Sequence, residues 1–466
     1  MIEISSLARK EVLIDAGATQ GPLEWWRHAL GHGGINTLPL PPRVVEGVAK
    51  LKPRLIRVFL QEHFAIYPDH GRFDWTRLDP FLEAMARTGA KVVAAITIKP
   101  KVLFPKVDHA IWRPNNTAEW QRVIYELVKR YSVDKPIVTH WEIGNETDIG
   151  ESGGSPYLIP DPADYAEHYR MTIKPIREAF PSAKVGGPAS CWVDNEPLPG
   201  LIKACRETGT PLDFISWHCY HDDPARHALG VKNAKALLEG FPGRRPEMLV
   251  TEWSKSFDRV SFEDLAFEPR RAAIIAAAIL AMIEAGLDWS FYYHIWDQVF
   301  YPEPFRPFFS EEGIGGMETH WNRVPHRFGL FGVGEEVRPQ YFVYQMLGRA
   351  GEERIAAQSD DGDLRVLAGR AEGRLAALIV NLGLEQSRPM LVTLRLSGLA
   401  PGGKTLTVHR IDASRRWSQD ALELVPVERR ETYAPADFHC QLYCPADSVA
   451  LLTLDDLDRE PAQKTS

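Results

Sequence analysis

Two glutamates end hydrophobic runs in this 466-residue chain. Glu146 closes Ile137-Val138-Thr139-His140-Trp141-Glu142-Ile143-Gly144-Asn145-Glu146, and Glu252 closes Met248-Leu249-Val250-Thr251-Glu252. Two carboxyl groups at one opening can divide a difficult bond cleavage into two steps if one is protonated and the other ionised. Cleavage of a glycosidic bond needs that division, because positive charge develops on the sugar ring and negative charge on the departing oxygen. A retaining double displacement places the two carboxyls about 5–5.5 Å apart. Glu146 is the expected acid/base and Glu252 the expected nucleophile, with Arg57 as the cation that keeps Glu252 ionised. Glu142, inside its strand, is expected to be structural and paired, with Arg57 the candidate partner. Spacing alone leaves metal binding or a lyase base open.

These residues need a frame that brings separate strand ends to one mouth. Eight β-rich runs alternate with helix-length stretches: Ile35–Leu38, Leu55–Leu60, Lys91–Ile98, Ile137–Ile143, Lys184–Pro188, Asp213–His218, Met248–Glu252 and Trp289–His294. Helices are expected at Leu78–Thr88, Ala118–Tyr131, Asp164–Phe180, Pro197–Thr208, Ala228–Glu239 and Pro269–Ala285, several of them followed directly by a glycine. Strands and helices in alternation, without a Gly-x-Gly-x-x-Gly after the first strand, favour a closed (β/α)8 TIM barrel over residues 16–350, with its chemistry at the carboxyl ends of the strands. Past Arg349, short alternating strands separated by Gly, Pro and Asp turns predict an antiparallel β-sandwich over 351–456. Residues 1–15 are expected to add a strand to it, and 457–466 to form a polar tail.

Composition narrows the function classes. The chain is 44% hydrophobic and 25% charged, with a formal net charge of −8 and scattered basic residues, so nucleic acid is not an expected partner. The start interrupts its apolar residues with Glu3, Arg9, Lys10 and Glu11, and Ala272–Ile283 is too short to span a bilayer; the expectation is a cytoplasmic protein with no membrane partner. Five cysteines argue against a disulfide framework, Cys440 and Cys444 read as strand residues, and the fifteen histidines form no HExxH pattern, so neither metal nor cofactor is expected. Cys219 alternates with His218 and Tyr220 and should point away from the mouth. The segment Trp296–Gln340 is long and aromatic, which suits either substrate contact or packing over the rim, and exposed aromatics there would favour a homo-oligomer.

With the glutamates at strands four and seven, the chain resembles clan A glycoside hydrolases, and within them glycoside hydrolase family 39, the family of β-xylosidases and α-L-iduronidases. Trp25-Trp26-Arg27-His28-Ala29-Leu30-Gly31-His32-Gly33-Gly34 is similar to that family's Trp-Arg-His segment leading to a glycine pair. Ser216-Trp217-His218-Cys219-Tyr220 resembles its sixth-strand motif, and Gly329-Leu330-Phe331 through Pro339-Gln340-Tyr341-Phe342 resembles the entry to the clan's last helix. The resemblance implies that Asn145 bonds the sugar 2-hydroxyl, Tyr220 touches Glu252, His218 lines the subsite, Arg57 supports the nucleophile, and His32 and Gly33 approach the sugar. His63, Lys99 and Trp192 sit at strand ends as further candidates, and Trp296 is the expected stacking platform. The family's usual Asn-Glu-Pro is Asn145-Glu146-Thr147 here, and Trp253 follows the nucleophile where xylosidase relatives more often carry Phe and Asn.

The expected activity is thus a retaining glycosidase acting on a carbohydrate substrate, most similar to β-xylosidases. Arabinofuranosides, β-galactosides, β-glucosides or uronides remain alternatives, with Lys99 and Arg306 as cations for a uronate. A noncatalytic carbohydrate-binding protein is the alternative of a different class.

Overall fold

A computed structural model describes residues 7–257, 268–414 and 421–457. The first strand, β1 (Ala8–Pro22), belongs to the C-terminal sheet, and the chain then enters the barrel through β2 (His28–His32), β3 (Leu55–Gln61), β4 (Lys91–Thr97), β5 (Val138–Ile143), β6 (Lys184–Ser190), β7 (Phe214–Tyr220), β8 (Glu247–Ser254) and β9 (Trp289–Tyr293). These eight are parallel and close on themselves, β9 pairing with β2. The outer layer includes α1 (Pro42–Lys50), α2 (Leu78–Arg87), α3 (Thr117–Val128), α4 (Pro162–Ala179), α5 (Leu198–Thr208), α6 (Pro224–Leu237) and α7 (Pro269–Ala285). Most of these helices start where sequence chemistry says they should. Asn116 caps α3, and Asp161 and Asp223 cap α4 and α6, each with a side-chain oxygen accepting a first-turn N–H.

One expected strand is misplaced. Ile35–Leu38 forms no strand, and the first barrel strand lies earlier, at His28–His32. The glycine pair explains the shift. Gly33 and Gly34 take φ of +97° and +88°, which ends the strand in a turn just before the apolar run that suggested one.

Strand alternation sorts the barrel's side chains. Leu55, Val93, Phe214, Leu249, Trp289 and Phe291 form an apolar floor inside, while Ile56, Val58, Val92, Ala94, Ile215, Trp217, Met248 and Val250 join the core beneath the helices. Burying each large floor side chain contributes about 1.5–3 kcal/mol, so the lower barrel is a packed plug and polar side chains are confined to the mouth.

Past the barrel, β10 (Glu353–Ser359), β11 (Leu364–Ala371), β12 (Arg374–Asn381), β13 (Met390–Ser397), β14 (Gly402–Ile411), β15 (Glu428–Ala434), β16 (Phe438–Cys444) and β17 (Ser448–Asp456) form a sheet. The strands make one continuous nine-stranded sheet, with β1 inserted between β10 and β13. All its pairings are antiparallel except β1 with β13. One face encloses a core of its own, which buries Cys440 and Cys444, while Leu378, Val380, Val449 and Leu451 on the other face join the barrel's helix core. Arg270 at the start of α7 clamps this junction, donating to Asp447 at 2.7 Å. The tail expected at the C-terminus lies, from residue 458, outside the described residues, as do residues 1–6.

The aromatic segment after β9 has its own small core. Phe300, Phe305, Phe308 and Phe309 are at most 2% exposed and pack with Ile35 and with Ile314 of the short helix α8 (Glu311–Glu318). These four rings are covered, whereas Tyr301 of the same segment is 52% exposed. Before the closing helix α9 (Pro339–Leu347), the segment is pinned by Asp297, which pairs with Arg338 at 2.5 Å and His294 at 2.8 Å. No helix among the described residues is long and apolar enough to cross a membrane.

Candidate active site

Glu146 follows β5 in a turn that only the surrounding structure can hold. Its own φ is +42°, a region disfavoured for a residue with a Cβ. The turn is fixed by its backbone: the Glu146 N–H donates to the Ala189 carbonyl at 2.9 Å, and the Glu146 carbonyl accepts from Ile149 and Gly150 at 3.1 and 2.9 Å. The carboxyl then lies against the 150–153 turn on one side and His218 on the other, with Oε1 2.8 Å from His218 Nδ1. Burial, with the charge of Asp148 adding to it, pushes the Glu146 carboxyl up to about 8. It is therefore protonated at neutral pH. Burial also pulls His218 down to about 4, so its ring is neutral. A neutral imidazole can accept a hydrogen bond from the carboxyl O–H or, as the other tautomer, donate one to the carboxylate, and so suits both states of Glu146.

Glu252 reaches the mouth through an irregularity. Trp217 pairs with Val250, but His218 pairs with Glu252, so Thr251 is an extra residue in β8. Met248 and Val250 face the helix core, and strict alternation would send Glu252 after them. The bulge turns it inward instead, and returns Trp253 to the helix core. Inside, Glu252 Oε1 accepts from the Tyr220 hydroxyl and Oε2 accepts from Arg57 at 3.0 Å. Burial raises this carboxyl as well, but Arg57 and the Tyr220 hydrogen bond oppose the rise.

Arg57, on β3, joins the parts. It is fully buried and donates to Glu142 at 2.9 Å, to Glu252 at 3.0 Å and to the Asn145 side-chain carbonyl at 2.7 Å. One fork-shaped guanidinium thus sets the positions of a structural carboxylate, Glu252 and the residue preceding Glu146. Glu142, fully buried, is the paired strand residue that the sequence suggested. The Asn145 amide is oriented at both ends, because its Nδ2 donates to the Gly153 carbonyl at 3.2 Å. Three carboxyls around one arginine would leave excess negative charge in a buried site, and the elevated Glu146 carboxyl relieves it by holding a proton.

Above this group opens a cleft of about 1050 Å³. Glu146, Glu252, Tyr220 and Trp192 line it, together with Phe59, Gln61, Tyr293, Phe257 and Trp321. Other candidates lie behind the wall. His32, His63 and Trp296 are 0%, 1% and 9% exposed, and His32 stacks on His294 and Trp296 with ring centres 5.9 and 6.3 Å apart. Gly33 turns the chain against Phe59 and Phe81, and it is the neighbouring Gly34 that lines the cleft. Lys99 is buried, its ammonium donating to the Asp108 and Pro156 carbonyls at 2.7 and 2.8 Å. Arg306 is engaged by Glu303 and Glu311. Trp296 is thus replaced on the wall by Trp321 from the same aromatic segment, and aromatic content alone could not choose between them. Cys219 packs in the helix core, where burial pushes its thiol up to about 12. Among the described residues, no group of three or more His, Cys, Asp or Glu side chains could hold a metal ion.

A β-xylosidase from Caldicellulosiruptor saccharolyticus is 25% identical over 318 residues, covering 62% of this chain and 59% of that protein. A β-xylosidase from Geobacillus stearothermophilus is 21% identical over 310 residues, covering 63% and 56%. The chain therefore spans less than two thirds of the length of these curated relatives. The crystal structure of a monomeric β-xylosidase from Caulobacter crescentus CB15 superposes with a TM-score of 0.75 at 19% identity, covering 97% of this chain and all of that one, a likeness of fold. The model of glycosyl hydrolases family 39 matches residues 50–419, most of the chain and all of the barrel from β3 onward, and the chain belongs to that family.

Proposed function

We propose that the chain is a retaining glycosidase of β-xylosidase type, with Glu146 as acid/base and Glu252 as nucleophile. The observation that carries this reading is the opposed setting of the two carboxyls at one mouth: Glu146 beside a neutral imidazole and elevated to about 8, Glu252 between a guanidinium and a phenol. In the first step a Glu252 carboxylate oxygen bonds to the anomeric carbon while the glycosidic C–O bond breaks. The Glu146 proton passes to the departing oxygen. Forming the ester consumes the charge on Glu252, which lowers the affinity of Glu146 for a proton. Glu146 then takes a proton from water as the water oxygen attacks the same carbon, and Glu252 leaves as a carboxylate.

The supporting roles follow from the contacts. Arg57 and Tyr220 stabilise the Glu252 anion, His218 holds Glu146, and Asn145, oriented by Arg57, offers its amide N–H to the sugar 2-hydroxyl. A uronate ring would need an uncommitted cation beside this pair. The two cations that the sequence offered for one, Lys99 and Arg306, are both engaged elsewhere.

A panel of nitrophenyl pentosides, hexosides and uronides tests the reading, with β-xyloside expected to be cleaved fastest. Glu252→Ala should lose activity on the order of 10⁴-fold, and azide should restore turnover as a glycosyl azide of inverted configuration. Glu146→Ala with azide should instead give the retained configuration, because azide then replaces water on the opposite face. Absence of turnover across the whole panel would leave a carbohydrate-binding protein.

A further inference from the structure

The cleft that holds Glu146 carries a cation that the mechanism leaves unused. Trp192 follows β6, in the segment that accepts the Glu146 N–H through Ala189. Arg226 lies in the first turn of α6, with its guanidinium carbon 3.9 Å from the centre of the Trp192 ring. Among the described residues Arg226 is the sole arginine or lysine lining the cleft, and it forms no ion pair there. The same cleft carries Asp108, Glu151 and Glu312, so its charge is divided.

The placement of this arginine has a cost. A cation in the first turn opposes the helix dipole, which here is complemented only by the Asp223 cap. Trp192 is itself held, its indole N–H donating to Asp194 at 3.1 Å and its ring backed by Gly230, where a Cβ would lie 3.3 Å from the indole. A guanidinium laid on a fixed indole keeps its edge N–H groups free in one plane, the geometry that receives a carboxylate through two parallel hydrogen bonds.

We propose that Arg226 is a specificity residue for the leaving group, selecting one that carries a carboxylate on a ring, and that Trp192 is its positioning residue. The leaving group must lie on the side of the proton donor; Cys191, next to Trp192 in the chain, is close enough to Glu146 to feel its charge, and Arg226 lies over the Trp192 ring in the same cleft. The inference rests on the glycosidase reading for its term "leaving group", whereas the recognition itself is a binding property. Two sources share this chemistry, a uronic acid residue of an oligosaccharide and an aromatic acid.

The test uses the full-length protein and non-hydrolysable S-linked β-xylosides. One pair carries 4-carboxyphenyl against its neutral isostere 4-carbamoylphenyl; the second carries a uronic acid against the corresponding uronamide. Calorimetry should show at least one acid binding about tenfold tighter than its amide. That preference should collapse to about twofold or less in Arg226→Gln, remain partial in Arg226→Lys and weaken in Trp192→Leu, with melting temperatures checking the fold. The pair that shows the preference identifies the source. Equal affinity of acid and amide in both pairs, an unchanged preference in Arg226→Gln, or no binding of any of the four would overturn the proposal. Failure of the O-linked counterparts to be hydrolysed, with the binding preference intact, would overturn the glycosidase reading alone.

Discussion

A Cβ on Gly153 would lie 2.0 Å from Glu146 Oε2 and 2.7 Å from its Cβ, so the backbone of one turn forms the wall against which the acidic side chain rests. Gly153→Ala should displace the carboxyl while leaving the barrel folded. Since a shift of about 1 Å in a reacting group can lower turnover on the order of 10²-fold, kcat for nitrophenyl glycosides should fall by about that factor, with little change in melting temperature. An unchanged kcat would show that Glu146 has another resting place.

The pH profile should report the two carboxyls separately. In its proposed role as acid, Glu146 acts only while protonated, and with its carboxyl at about 8, kcat/KM should decline as pH rises past that value. Glu146→Gln, assayed with a dinitrophenyl leaving group that needs no proton, should lose the alkaline limb. Stability should follow the same sign. The folded state holds a proton that the unfolded chain releases near the ordinary glutamate value of 4.5, so this contribution is complete below 4.5 and is lost as pH climbs toward 8. Glu62, buried and likewise pushed up to about 8, adds to the trend. Melting temperature should therefore fall across this interval, less steeply in Glu146→Gln.

Tyr220→Phe isolates the anion's hydrogen bond. The phenol holds the Glu252 carboxyl down, so its removal should raise it further and move the acid limb of kcat/KM to higher pH. The loss in kcat/KM at the optimum should be about 10- to 100-fold, corresponding to about 1.4–2.7 kcal/mol. An acid limb that stays in place would remove Tyr220 from the account.

Arg57→Met should damage both fold and chemistry. It strands Glu142, which is fully buried, and a buried charge without its partner costs about 3–5 kcal/mol. Denaturant unfolding should show that loss, and kcat should collapse with it. Arg57→Lys keeps the charge but not the three-way fork, so it should recover stability more than turnover.

The barrel, the two glutamates and Arg57 were legible because strand ends, turn glycines and residue types are local signals; the Tyr220 contact followed only from the family resemblance, and His218, expected to line the subsite, holds Glu146. Glu146 stands out because a strand ends in two polar residues, and Arg57 because a lone arginine in an apolar strand requires a carboxylate. Other features depend on contacts made across the fold. The apolar run Ile35–Leu38 imitated a strand, although the glycine pair before it had already ended one. Trp296 and Trp321 share an aromatic segment, and which of them reaches the cleft is set by the packing of Phe300, Phe305, Phe308 and Phe309. Arg226 gave no sign at all, because the first turn of a helix reveals nothing of the indole it will lie upon.

The extra residue at Thr251 carries a consequence for how this chain can change. Were Thr251 taken into the ladder as an ordinary strand residue, Glu252 and Trp253 would exchange the two faces of β8, lodging an acid among the apolar side chains under the helices and an indole in the mouth. No substitution of the glutamate would be involved. The register of one strand, as much as its composition, decides which side chain the barrel presents at its mouth.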